Sequence, residues 1–286
     1  MAVVTAAISS RTNARVKQLR AAFSANTRLS DGFVAIEGDH LLEEALRSGI
    51  TPKVVFLSER REPPRALPHS VEVVRLTDHV FASAVDTRSP QGIAALVTPP
   101  VHQLQEILES ASPLALVAVG LQDPGNLGTL IRSAEAFGAD AVLTTPGTVN
   151  QWNQKALRAS VGSTFRMPIL SVTKADLEDL RQRGIHLLAA VGAEGKSVLS
   201  AQDADLTQAC AIMIGNEGAG LAPEWISLAT SRITISCPGP VESLNAAVAG
   251  SLLLYEASRQ RAASHSASAP ERIPGPLRRR PTGANR

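Results

Sequence analysis

Ile235-Ser236-Cys237-Pro238-Gly239-Pro240-Val241-Glu242-Ser243-Leu244-Asn245-Ala246-Ala247-Val248-Ala249-Gly250 reads as a short strand, a Pro/Gly loop and the opening of a helix. Ser243 and Asn245 fall where a helix presents unpaired N–H groups, a position that suits caps and ligands alike. Alone, Ser243 reads equally well as a simple cap. Two other segments share the form. Gly120-Leu-Gln-Asp123-Pro-Gly-Asn126-Leu-Gly128 follows an apolar run and leads into a helix, and Ile212-Met-Ile-Gly215-Asn216-Glu217-Gly218 ends an apolar run in a glycine turn with one carboxylate. Three strand ends, at 120–128, 215–220 and 237–245, therefore hold the unusual polar residues. In an open α/β sheet the carboxyl ends of the strands are where ligands bind, so one shared site is expected.

Outward from these segments, the chain from Pro113 alternates strand-like and helical runs, the pattern of a parallel sheet covered on both faces. Strands are expected at Leu114–Val119, Ala141–Thr145, Leu187–Val191, Ala211–Ile214 and Ile233–Ser236. Helices are expected at Leu127–Phe137, Gln154–Val161, Ala175–Arg183 and from Leu244 to about Arg261. The first 98 residues read as a separate α/β unit. It has a helix around Arg15–Phe23, a strand at Phe33–Ile36, a helix capped by Asp39 and stopped by Gly49, and strands at Lys53–Leu57, Val71–Leu76 and Gly92–Val97. The expected division is 1–98, a linker at 99–112 opened by Pro99-Pro100, a catalytic unit at 113–262, and a disordered basic tail at 263–286.

Of the 286 residues, 44% are hydrophobic and 3% aromatic, enough for a full Ala/Val/Leu/Ile core. No apolar run reaches a membrane span, and the N-terminus lacks a signal-peptide pattern. Cys210 and Cys237, each in a strand-like apolar run with no metal-type neighbour, read as buried thiols of a reducing cytosol, so neither metal nor membrane is expected. The net charge of +2 hides an asymmetry. Residues 1–30 hold Arg11, Arg15, Lys17, Arg20 and Arg28 with no acid, while 101–258 hold nine basic and fifteen acidic residues. Basic ends on an acidic core suit contact with a polyanion, and also suit simple solubilising charge.

The glycine turn at 120–128 is not the dinucleotide fingerprint, and no phosphate-loop Gly-Lys-Ser/Thr exists, which argues against an NTPase. Arg132 stands on an otherwise apolar helix of Leu127, Leu130, Ile131, Ala134 and Phe137. If that helix is buried all round, Arg132 needs either a ligand or a carboxylate such as Glu135 or Glu217.

Together and in this order, the three segments resemble the signature motifs of the SpoU/TrmH family of S-adenosylmethionine-dependent RNA ribose 2′-O-methyltransferases. The resemblance covers the chain to about residue 260 and is strongest from 115 to 256. It implies an α/β, SPOUT-type parallel sheet with a deep C-terminal trefoil knot, preceded by a ribosomal-protein-like (L30e-like) RNA-binding domain. It implies that Gly215, Ile235 and Leu244 contact the cofactor, with Gly192 and Asn216 nearby. It also implies that Asn126, Arg132, Glu217, Ser243 and Asn245 form the active site. The segment Lys155-Ala-Leu-Arg158-Ala-Ser160-Val-Gly162-Ser163 also resembles the family, with Gln154 where a proline is common. Expected RNA contacts are Arg11, Arg15, Lys17, Arg20 and Arg158. Arginine stays protonated, so Arg132 is read as a cation that steadies a developing alkoxide or grips a phosphate rather than as a base.

The expected protein is thus a cytoplasmic, homodimeric enzyme acting on 23S rRNA. Its length and Ala/Arg-rich composition also resemble antibiotic-resistance methyltransferases of the avilamycin type. A tRNA 2′-O-methyltransferase, a non-catalytic RNA-binding protein on the same fold and an unrelated nucleotide-binding enzyme stay open as alternatives.

Overall fold

Along β5 (Leu114–Ala118), successive residues go to opposite faces, because side chains alternate along a strand. Leu114, Leu116 and Ala118 join one apolar cluster, and Ala115 and Val117 join another. β10 (Cys210–Ile214) divides the same way, with Cys210, Ile212 and Ile214 on the first face and Ala211 and Met213 on the second. Both strands are buried throughout, as parallel strands between two helical layers must be. The computed structural model describes residues 6–107, 109–192, 197–241 and 243–268.

The second unit is a seven-stranded sheet. β5 and β10 are joined in it by β6 (Ala141–Thr144), β7 (Ile169–Ser171), β8 (His186–Ala190), β9 (Val198–Ser200) and β11 (Ser231–Thr234), in the order β7-β6-β5-β10-β8-β11-β9. Every pairing is parallel. On one face lie α5 (Pro124–Ala136) and α9 (Ala246–Ser268), whose Leu127, Leu130, Ala247 and Leu254 enter the cluster under them. The other face is covered by α4 (Leu104–Ile107), α7 (Lys174–Gln182) and α8 (Pro223–Ile226), through Ile107, Leu177, Leu180 and Trp225.

The first unit is a four-stranded sheet in the order β1-β4-β2-β3, from β1 (Val34–Glu37), β2 (Val54–Ser58), β3 (Glu72–Leu76) and β4 (Ile93–Val97). α1 (Ala14–Ala25) and α3 (Asp78–Ala84) cover one face with Leu19, Phe23, Val80 and Phe81. The other face is covered by α2 (Asp39–Arg47) and also by Trp152, Leu157 and Phe165 of the second unit. The two units are separate in sequence but share a core. The bridging residues come from α6 (Gln154–Ser160) and its flanks, and α6 packs on α5 at Gly128. A Cβ there would stand 2.3 Å from the Ala156 carbonyl oxygen, so only glycine permits this approach.

Several expectations are corrected. Asp39 does not cap α2: the cap is Gly38, and the Asp39 carboxylate pairs with Arg61. α9 begins at Ala246, and its cap is Asn245, whose Oδ1 accepts the Ala247 and Val248 amides at 2.9 and 3.2 Å. Ser243 stays in the loop before it, exposed. β11 starts at Ser231 and ends at Thr234, so Cys237 lies half-buried in a loop, whereas Cys210 is buried on β10. Residues 263–268, placed in the disordered tail, continue α9; the rest of that tail, 269–286, lies outside the described residues.

Candidate active site

The carboxyl ends of β8, β10 and β11 open into a cavity of about 720 Å³, within the range of ligand pockets, ~300–1,000 Å³. Its wall brings together Gly192 after β8, Gly215, Asn216 and Glu217 after β10, Ile235 after β11, and Ser243 and Leu244 before α9. Every residue that the resemblance assigns to the cofactor is therefore on one wall. Gly215 is buried under the turn that follows it: a Cβ would lie 2.2 Å from the Gly220 carbonyl carbon. That turn is closed by Asn216, whose backbone pairs with Gly220 in both directions and whose Oδ1 accepts the Gly218 amide at 2.9 Å. Asn216 Nδ2 donates to the Gly120 carbonyl at 2.9 Å and ties this loop to the one after β5.

A second set of contacts joins all three loops. Asn245 Nδ2 donates to Asn126 Oδ1 at 3.1 Å, and Asn126 Nδ2 donates to Glu217 Oε1 at 2.9 Å. The Glu217 carboxylate also accepts the amides of Asp123 at 3.2 Å and Gln122 at 3.4 Å. Partial burial works to raise the Glu217 pKa. The hydrogen bonds from Asn126 and from backbone amides outweigh it, and the pKa lies below the ordinary carboxylate range. The ionised oxygen accepts from Asn126, which orients both asparagine amides in turn.

Two contributors stand outside the expected set. Asp123 caps α5 by accepting the Asn126 amide at 2.9 Å, and Lys155 Nζ holds its other oxygen at 2.6 Å. The Lys155 hydrogen bond, followed by that of the Asn126 amide, draws the Asp123 pKa down. The signal was present in the sequence, since Asp before Pro at a helix start is a cap pattern.

Arg132 differs from its expected setting. It lies on the exposed side of α5, and among the described residues its guanidinium has no hydrogen-bond or ion-pair partner. Glu135 is held by Arg166 and Glu217 by Asn126, so neither candidate carboxylate pairs with it. A free guanidinium close in sequence to Asn126 is available to an anionic ligand. Of the basic residues expected to meet RNA, Arg11 contacts His79, Arg15 pairs with Glu72 at 2.6 Å, and Arg20 donates to the Ser83 carbonyl at 3.1 Å. Lys17 and Arg158 are exposed, with side chains unpaired among the described residues.

The cavity wall is mostly backbone and apolar side chain, and among the described residues the one carboxylate or cationic side chain that lines it is that of Glu217. Apolar walls with exposed backbone groups suit a nucleoside, and a lone carboxylate with no Lys or Arg suits a ligand carrying positive charge rather than a polyphosphate. Among the described residues no group of three or more His, Cys, Asp or Glu could hold a metal ion, and no helix is long and apolar enough to cross a membrane.

The SpoU rRNA Methylase family matches residues 113–255, and the MRM3-like substrate binding domain matches residues 13–95. The chain is 32% identical over 249 residues to a 23S rRNA (guanosine(2553)-2′-O)-methyltransferase of Bacillus subtilis, covering 87% of this chain and 97% of that protein. A 23S rRNA (uridine(2479)-2′-O)-methyltransferase of Streptomyces viridochromogenes is 29% identical, over 92% of this chain and 95% of the other. Among solved structures, a SpoU methyltransferase of Streptomyces viridochromogenes in complex with the cofactor AdoMet superposes with a TM-score of 0.77 at 28% identity. That likeness covers 87% of this chain and 98% of the other.

Proposed function

We infer, for a chain that belongs to the SpoU rRNA methylase family, the transfer of a methyl group from S-adenosylmethionine to a ribose 2′-hydroxyl of 23S rRNA. The observation that carries this reading is the cavity whose one charged wall residue among the described residues is Glu217, joined through Glu217 to the Asn126–Asn245 pair. A nucleoside bearing a sulfonium and an ammonium fits such a wall, with Gly192, Gly215, Asn216, Ile235 and Leu244 holding it largely through backbone and apolar groups. When bound, this cofactor supplies a methyl group already activated for in-line displacement.

The chain's own groups then have two tasks, to place the ribose and to favour loss of its proton. Ser243 and Asn245 orient the ribose, Glu217 holds the Asn126 loop, and the unpaired Arg132 guanidinium stabilises the negative charge that grows on the 2′-oxygen or grips the adjoining phosphate. The 2′-oxygen would take the methyl group that the cofactor supplies and give up its proton to water, while these residues hold the hydroxyl in line and steady the growing charge. The Asn245–Asn126–Glu217 hydrogen bonds argue against a non-catalytic RNA-binding role, since such a role needs no polar side chains joined across three loops beside a cavity.

The finer parts of the reading follow from the same residues. The first unit, residues 1–98, is proposed as an L30e-like RNA holder, with Lys17 and Arg158 the readiest phosphate contacts and Arg11, Arg15 and Arg20 able to exchange protein partners for phosphate. The C-terminal segment is proposed to form a trefoil knot, supported by β10 lying between β5 and β8 while α9 returns to α5. The apolar residues Val248, Leu252 and Tyr255 on α9 are 47%, 43% and 53% exposed, a stripe at helical spacing that supports a homodimer. The protein is proposed to work in the cytoplasm. A drug-resistance role is a narrower proposal, supported by the similarity to the avilamycin-type enzymes.

The test is to incubate the full chain with S-adenosylmethionine and a 23S rRNA transcript and to map ribose methylation. One 2′-O-methylated nucleotide is expected; a folded, cofactor-binding protein that methylates no RNA overturns the reading.

A further inference from the structure

We propose that Arg166 is a specificity-determining positioning residue, which locks the offset between the RNA-holding unit and the methyl-transfer site and so sets which nucleotide of a bound RNA is methylated. The inference rests on the RNA methyl-transfer reading above and extends it.

The site itself offers little to read a base with. Its wall is mostly glycine backbone and apolar side chain, and the amides of Asn126, Asn245 and Asn216 are engaged with one another, with Glu217 or with Gly120. Ribose and phosphate are alike at every nucleotide, so the choice among neighbours must come from where the RNA is held. That holds only if the holder cannot shift against the site. Displacing reacting groups by about 1 Å costs on the order of 10²-fold in rate.

The joint between the units is built to resist such a shift. Trp152, Leu157 and Phe165 of the second unit lie in the core of the first, beside Val34, Ile36 and Leu42. Gln154 Nε2 donates to the buried Ala35 carbonyl at 2.8 Å. Apolar surfaces can slide, whereas directional contacts fix the angle, and the charged clamp of the joint is Arg166. Its Nη1 donates to Glu44 Oε2 on α2 at 2.7 Å, and its Nε and Nη2 donate to the two Glu135 oxygens on α5 at 2.5 and 3.0 Å. The Glu44 side chain is only 10% exposed, and the Arg166 hydrogen bond, against the opposing effect of burial, holds its pKa below the ordinary carboxylate range. Glu44 therefore stays ionised, with one oxygen on Arg166 and the other on Arg47 at 2.8 Å. One planar guanidinium thus spans both units, and its Glu135 arm lands on the helix that carries Asn126 and Arg132.

The test compares wild type, Arg166→Gln and the milder Glu135→Gln on a 23S rRNA transcript, with methylated positions mapped at nucleotide resolution and S-adenosylmethionine binding measured by calorimetry. Wild type marks one nucleotide. Both variants bind the cofactor as wild type does, kcat/KM at that nucleotide falls, by about 10²-fold in Arg166→Gln, and methylation appears at adjacent riboses. A single unchanged position at unchanged kcat/KM in both variants overturns the proposal. So does a parallel loss of cofactor binding and methylation in both, which would make the clamp a stability element only. A wild-type protein that methylates no RNA is a different outcome, the failure of the function and not of the clamp.

Discussion

Asn245 and Asn126 are 119 positions apart, yet the amide of one meets the carbonyl of the other at 3.1 Å. Asn245 thereby does two jobs with one side chain: its oxygen caps α9 and its nitrogen orients Asn126. The two can be separated. Asn245→Asp keeps the capping oxygen but has no N–H for Asn126. The variant is expected to hold its thermal midpoint while methyl transfer collapses. Asn245→Ala should lose both, with about 1 kcal/mol of stability going with the cap. Melting curves beside single-turnover assays decide it, and full activity in the Asp variant would remove Asn245 from the site.

Arg132 is exposed and unpaired among the described residues, so its removal disturbs no contact of the folded chain. Arg132→Ala should stay within about 0.5 kcal/mol of wild type in stability. Its methyl-transfer rate should drop on the order of 10²–10³-fold, the usual loss for one charge-stabilising donor. Calorimetry should show S-adenosylmethionine binding unchanged. Near-normal turnover would leave the exposed arginine without a role.

The Glu217 pKa is depressed in the folded chain, so its contribution to loop stability is complete above the unfolded value of about 4.3 and is lost as pH falls through the lower folded value. Wild type should accordingly melt higher than Glu217→Gln at neutral pH, and the gap should close on acidification below about pH 4. A gap that persists at low pH, or widens, would contradict this assignment of charge.

Gly215→Ala would drive a Cβ to within 2.2 Å of the Gly220 carbonyl carbon, which is backbone and cannot swing away. Overpacking of this kind costs about 1–3 kcal/mol. The turn over the cavity should open and cofactor affinity should fall, read by thermal melts and calorimetry. Wild-type affinity would mean that the turn is not part of the binding wall.

The exposed stripe Val248, Leu252 and Tyr255 predicts association. Sedimentation at micromolar protein should give twice the chain mass for wild type and a monomer for Leu252→Glu. A monomeric wild type with full activity would refute the dimer.

The layered architecture and the gathering of residues at the strand ends were legible in the sequence, because apolar periodicity and glycine turns are local signals. β7 and β9 were not: they are three-residue strands on the two sheet edges, with part-exposed or exposed residues and no continuous apolar run. Arg132 looked buried because its helix is apolar, yet α5 leaves one narrow side open, and only tertiary packing reveals which side that is. Arg15 and Arg20 looked free for the same reason: Glu72 and Ser83 lie 57 and 63 positions away. The choice of Ser243 over Asn245 as cap turned on a two-residue difference in where α9 starts, the kind of boundary that periodicity fixes poorly.

The dependence of both cores on later residues has a consequence for synthesis. Domains tend to fold in order as the chain leaves the ribosome. Here the first unit cannot finish its own core until Trp152, Leu157 and Phe165 have emerged. The pocket cannot close until α9 has been made, since Leu244, Ala246, Ala249 and Leu253 form part of its wall. A nascent chain halted at residue 240 would thus hold most of the sheet with no catalytic capacity. Under the proposed function, such a chain would lack Ser243 and Asn245 and would transfer no methyl group to RNA.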